Sequence, residues 1–226
     1  MELEEKISQI LKDVRESPWQ GDYMDYNKTY LTECVSHVSL DGLWLEFGVF
    51  RGRTITTIAK NTKKTVYGFD SFEGLPEDWD SNNPKGFFSL DGRAPDGVLD
   101  GQDMSGFDSR PSKTLPWEKN IKLIKGWFDS SLPEFLKEHE EKVAFIHIDS
   151  DLYSSCRTIL NNLKNRIVLG TIICFDDFMD YKVNQNNEVK AFAEFLLETG
   201  LNYKTLALQT HEPSSIYFQT CFKVVK

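Results

Sequence analysis

Two apolar runs in this chain end in paired carboxylates: Val143–Asp151 reads VAFIHIDSD and Gly170–Asp177 reads GTIICFDD. Runs of this length, rich in β-branched residues and flanked by turn signals, are expected as strands buried on both faces. Their acids then stand together at the carboxyl edge of one sheet, where open α/β folds bind ligands. Two like charges about 4 Å apart repel by roughly 4 kcal/mol at an effective dielectric near 20. Three or four converging carboxylates therefore need open water or a cation, and oxygen-only donors suit a hard divalent ion, magnesium first. One Asp at a strand end is most simply a helix cap or a solvated acid. Asp149, Asp176 and Asp177, on strands expected to be neighbours, are read instead as metal ligands, and Asp151 as the cap of the following helix.

A second group of residues points to a cofactor. The run LWLEFGV leads into Glu46-Phe-Gly48-Val-Phe-Arg-Gly52 and then straight into a helical stretch. Glycines at such a turn let a ligand approach the backbone, and a helix start offers free N–H groups to an anion. The spacing is not Gly-x-Gly-x-x-Gly, so the dinucleotide fingerprint is broken. The next strand ends in Gly-Phe-Asp70-Ser71-Phe-Glu-Gly, and an acid at that position holds a ribose diol in doubly wound folds or caps a turn. A third strand ends in Gly126-Trp127-Phe128-Asp129. There an aromatic can flank an adenine with Asp129 accepting from its amino group, or Trp127 is core and Asp129 an N-cap. His147, inside an apolar strand, reads as a hydrogen-bonded core residue.

The elements that must position these groups alternate along the chain. Ile7, Ile10, Leu11 and Val14 recur at helical spacing over 3–16 before Ser17-Pro18 breaks the pattern. A second helix is expected over 28–38. Strands are then expected at 43–49, 65–70, 121–126, 143–149 and 170–175, with helices at 53–61, 131–139, 152–165 and 188–199. Two closing strands at 203–208 and 215–225 have no helix between them, as in an antiparallel hairpin. Repeated βα units imply an α/β fold: a doubly wound, mostly parallel seven-stranded sheet with an antiparallel edge hairpin, in a single domain over 1–226. Residues 80–116, rich in Gly, Asp, Pro and Ser, interrupt the rhythm as a surface insertion or a substrate-covering lid.

Composition narrows the partners. The 226 residues carry 26 basic and 35 acidic side chains, a formal charge of −9, so the chain is a poor match for nucleic acid. Cys34, Cys156, Cys174 and Cys221 are scattered without Cys-x-x-Cys spacing, which suggests reduced, buried thiols and a cytoplasmic location. The N-terminal stretch is charged and amphipathic rather than a signal peptide, and no apolar run approaches membrane-spanning length, so no membrane partner is expected.

Taken in order, Glu-x-Gly-x-x-x-Gly, Asp-Ser-Phe-x-Gly, Gly-Trp-Phe, Ile-Asp-x-Asp-x-Tyr and Phe-Asp-Asp resemble class I S-adenosylmethionine-dependent methyltransferases. The closer resemblance is to the macrocin O-methyltransferase family, whose members methylate sugar hydroxyls on natural products with magnesium. It covers residues 43–178. It implies that Glu46, Gly48, Gly52 and Thr54 line the methionine end of S-adenosylmethionine. Asp70 with Ser71 would hold the ribose, and Trp127, Phe128 and Asp129 would surround the adenine. Asp149, Asp176 and Asp177 would ligate Mg2+, with Asp149 also acting as base, because Leu152 stands where catechol-type relatives have a lysine. A homodimer is implied as well. A cation lowers the pKa of a coordinated hydroxyl and fixes its direction, so the expected acceptor is a small molecule carrying a vicinal diol. The competing readings are a nicotinamide-dependent oxidoreductase and a non-catalytic domain on the same fold.

Overall fold

Every residue of the strands Leu43–Phe47 (β2) and Val143–Ile148 (β7) is buried, as strands covered on both faces require. The computed structural model describes residues 2–17, 20–22, 30–100, 113–180, 188–210 and 217–226. The other described strands are Gln20–Asp22 (β1), Val66–Asp70 (β3), Val98–Asp100 (β4), Lys113–Leu115 (β5), Ile121–Lys125 (β6), Ile167–Asp180 (β8), Asn202–Thr210 (β9) and Tyr217–Val225 (β10). The helices are Glu2–Arg15 (α1), Tyr30–Ser36 (α2), Arg53–Lys60 (α3), Phe128–Glu138 (α4), Tyr153–Leu163 (α5) and Glu188–Thr199 (α6).

The main sheet runs β1-β9-β10-β8-β7-β2-β3-β6. It is the expected seven-stranded, mostly parallel sheet, with the three-residue β1 added on one edge. Among the described strands of this sheet, only β10 is antiparallel to both its neighbours, slotted between β9 and β8. Side-chain alternation splits the core into two layers. On one face Phe47, Ile148, Phe175 and Phe222 pack with Ile10 and Val14 of α1, Leu132 of α4, Ile159 of α5 and Phe192 of α6. On the other, Trp44, Phe145, Ile172 and Cys174 pack with Tyr30 and Leu31 of α2 and Ile55 and Ile58 of α3.

Three departures from the expected elements bear on the site. Helix α4 begins at Phe128, three residues early, because the Trp127 carbonyl accepts from the Ser130 and Ser131 N–H groups. Strand β8 does not stop at Phe175 but continues through Asp180, paired to β10. Within the insertion, β4 and β5 form a small antiparallel ribbon, and the Leu99 N–H donates to the Arg51 carbonyl at 2.9 Å. Residues 101–112 of that insertion, Tyr181 and His211 lie outside the described residues.

Candidate active site

The turn after β2 is built on close backbone approach. Gly48 has φ 90°, and a Cβ there would fall 1.8 Å from the Asp149 carbonyl oxygen. Only glycine combines that conformation with that contact. Two backbone bonds tie the turn to the strands on either side: Asp149 N–H donates to the Phe47 carbonyl at 2.9 Å, and Gly48 N–H to the Phe69 carbonyl of β3 at 3.0 Å. The glycine turn and Asp149, the first acid after β7, thus form one contiguous backbone unit. Gly52, at φ 80°, is covered by the Trp117 ring, whose nearest atom lies 2.2 Å from where a Cβ would be.

Asp70 is the hub of the turn. Its Oδ2 accepts from Val49 N–H at 2.8 Å and Phe50 N–H at 2.7 Å, and its Oδ1 from Phe72 N–H at 2.6 Å. Those bonds hold Phe50 and Phe72 at positive φ, 44° and 59°, conformations that cost of order 1–3 kcal/mol each for a bulky residue. Among the described residues Oδ1 accepts a single bond, which leaves it acceptor capacity. Ser71, buried, accepts from the Glu73 N–H at 3.0 Å. Thr54 donates to Glu46 Oε1 at 2.7 Å, so these two face each other beneath the turn.

Glu46 is fully buried, and its Oε2 lies 3.6 Å from His147 Nδ1; His147 Nε2 lies 3.8 Å from Asp176 Oδ1. Neither ring nitrogen has a hydrogen-bond partner among the described residues. Burial alone would lower the His147 pKa, but Glu46 and then Asp149 outweigh it and raise the value. After β6, Trp127 is the N-cap residue of α4, and Asp129 lies exposed in its first turn rather than at the cap. Phe128 packs edge-on against Phe47 at 5.4 Å between ring centroids.

The acids sort differently from the expectation. Asp149, Asp151 and Asp177 each bring a carboxylate oxygen within 4.8 Å of the other two. Asp176 is turned aside, accepting from Gln219 Nε2 at 2.9 Å. Asp151 does not cap α5: Leu152 is the N-cap and no side chain closes it. Instead Asp151 sits at φ 60°, a left-handed conformation that Asp tolerates better than most residues. The cause of the sorting is a break in pairing, where Asp176, Asp177 and Phe178 of β8 stand opposite Gln219 alone. Such a bulge re-aims side chains.

Crowding shows in the protonation of this corner. Burial first, then Asp177 and Asp149, hold Asp151 well above the carboxylate range. Burial, with Asp177, Glu46 and Asp70 outweighing His147, pushes Asp149 up to about 7. Burial and Asp177 raise Asp176. Glu188, wholly buried at the start of α6, is raised by burial and by Asp177, Asp176 and Asp149. Ser150 donates to its Oε1 at 3.2 Å. Nothing in the sequence marked Glu188 or Gln219: an acid in a first helical turn reads as a dipole-favoured surface residue. Three converging carboxylates form an oxygen donor set that fits a hard divalent cation.

A parallel sheet with one antiparallel strand set into it, carrying a glycine turn beside clustered acids at its carboxyl edge, defines the class I methyltransferase architecture. Within that class, the chain belongs to the macrocin O-methyltransferase (TylF) family, whose model matches residues 24–204. A Streptomyces olivaceus relative, 8-demethyl-8-(2,3-dimethoxy-alpha-L-rhamnosyl)-tetracenomycin-C 4'-O-methyltransferase, is 27% identical over 165 residues. That match covers 66% of this chain and 58% of the relative's length. Among solved structures, the calicheamicin methyltransferase CalS11 superposes with a TM-score of 0.58 at 20% identity, over 97% of this chain and 91% of its own. An O-methyltransferase from Bacillus cereus, solved with S-adenosylhomocysteine, gives 0.51 at 15% identity, over 99% and 90%.

Proposed function

We propose that the chain transfers a methyl group from S-adenosylmethionine to a hydroxyl of a sugar or similar small natural product, using a hard divalent cation. The observation that carries this reading is the single backbone unit joining the glycine turn to the acids, with Gly48 against Asp149. Family membership and the relative that methylates a rhamnosyl-bearing product support the substrate class. When bound, S-adenosylmethionine supplies a sulfonium methyl group and the cation polarises the acceptor oxygen.

The chain's own residues then have distinct tasks. Gly48, Gly52 and the Asp70-braced turn receive the methionine end, with Glu46 and Thr54 locking its underside. Asp70 and Ser71 face the ribose, and Trp127, Phe128 and Asp129 the adenine. Asp149, Asp151 and Asp177 form the cation seat, while Asp176, held by Gln219, supports it from behind; this differs from the expected set by exchanging Asp151 for Asp176. Asp149, the acid whose main chain touches the cofactor turn, takes the acceptor's proton. In-line alignment of acceptor oxygen, methyl carbon and sulfur follows from fixing both half-sites on one rigid edge. Two adjacent hydroxyls would chelate the cation, so a vicinal diol is the preferred acceptor.

The test is transfer of labelled methyl from S-adenosylmethionine to a panel of glycosides bearing vicinal diols or isolated hydroxyls, with Mg2+ or with chelator. Labelling of diols that chelator abolishes is expected. Equal labelling of mono-ols would remove the diol requirement, and chelator-resistant turnover would remove the metal. A melting shift with NADH but none with S-adenosylhomocysteine would favour an oxidoreductase instead.

A further inference from the structure

Three of the four scattered cysteines meet in space. Cys34 of α2, Cys174 of β8 and Cys221 of β10 are fully buried, and their sulfurs all lie within 4.8 Å of one another. Cys174 and Cys221 face each other across the antiparallel pair with their sulfurs 3.4 Å apart. Sequence spacing gave no hint of this, because the ligands come from one helix and two strands far apart in the chain. Three sulfurs bonded to one ion at the ~2.3 Å of a metal–thiolate bond stand about 4 Å apart in a trigonal plane. The observed triangle needs little adjustment to reach that geometry.

The surroundings are those of a soft site. The cluster lies in the second core layer, among Tyr30, Leu31, Ile172 and Ala207, with no carboxylate in the triad itself. Register places Glu46, His147, Cys174 and Cys221 side by side across four adjacent strands, so the thiols continue the buried polar row beneath the cofactor turn. Burial alone would raise all three thiols; Cys174 and Cys221 instead bring Cys34 below its ordinary value, while burial holds Cys174 and Cys221 themselves well above theirs. Thiolate sulfur selects d10 ions such as Zn2+ and Cu+ over magnesium or calcium.

We propose that Cys34, Cys174 and Cys221 bind one soft d10 metal ion, at a site separate from the acid cluster. On binding, each S–H bond is replaced by a sulfur–metal bond and its proton leaves to solvent, with no change of oxidation state. The ion ties α2 to β8 and β10, and so braces the far end of the Glu46–His147 row.

The experiment titrates the full, reduced chain anaerobically with Cd2+, Zn2+ or Cu+ in excess Mg2+, then measures metal retained after gel filtration. One retained equivalent per chain is expected, with a sulfur-to-metal charge-transfer absorption in the Cd2+ arm that oxygen ligands cannot produce. Comparing the Zn2+ and Cu+ arms identifies the better occupant. Cys34→Ala or Cys221→Ala should lose the equivalent and the absorption, whereas Cys156→Ala, altering the buried thiol outside the triad, should keep both. Absence of the charge-transfer band in the wild-type chain, or its survival in a folded Cys34→Ala variant, overturns the proposal. The band is read without methyl acceptor or S-adenosylmethionine, so it stands apart from the methyl-transfer reading.

Discussion

The division of labour among the acids is sharpest residue by residue. Asp149→Asn and Asp177→Asn are expected to lower methyl transfer by on the order of 100-fold or more, with S-adenosylhomocysteine affinity changed only a few-fold; turnover assays and calorimetry check both. Asp151→Asn should match them, while Asp176→Asn should cost less, because its carboxylate already accepts from Gln219. The reverse order would restore the seat to Asp149, Asp176 and Asp177. Gly48→Ala should lose several kcal/mol in denaturant melts, since it meets both positive φ and the Asp149 carbonyl. The acids were legible in the sequence because several carboxylates close two apolar runs expected to be neighbouring strands. Their sorting was not, because a bulge opposite Gln219 depends on a partner strand some forty residues away.

At the scale of elements, the insertion does more than cover the sheet. Its β4–β5 ribbon is joined to the glycine turn through Leu99 and Arg51, and Trp117 beyond it covers Gly52 while donating to the Pro95 carbonyl at 3.2 Å. Trp117→Ala is therefore expected to weaken S-adenosylmethionine binding about tenfold with little change in the diol preference, as an equilibrium titration would show. Helical periodicity and apolar strand runs predicted all six described helices and the seven long strands of the sheet, since the helices bury one face and the central strands both. They missed β1, β4 and β5, whose three residues are too few to show a period. They also placed the start of α4 three residues late, where serines bond back to the Trp127 carbonyl.

For the molecule as a whole, the acid corner links stability to pH and, under the proposed function, to a bound cation. Asp149, Asp151, Asp176 and Glu188 all have folded-state pKa values raised above the ordinary carboxylate range. Without a cation, the folded chain then holds protons that the unfolded chain has released, so stability is full below ordinary carboxylate pKa values. It is lost as pH rises through the folded values, about 7 for Asp149. Melting of chelator-treated protein should fall between about pH 5 and about pH 8, and Mg2+ at ~100 times its Kd should return about 2.7 kcal/mol at the upper end. Glu188→Gln should flatten the fall. The placement of β10 between β9 and β8 also bears on how the chain is made. While a nascent chain emerges, β8 is displayed before its partner exists, and its run IVLGTIICF is the kind of edge that recruits other chains. Asp176 and Asp177, directly after that run, stand where gatekeeper charges flank unavoidable hydrophobic strands. A chain ending at Thr210 should accordingly stay dispersed longer with both aspartates than with both changed to Asn, as light scattering during translation would reveal.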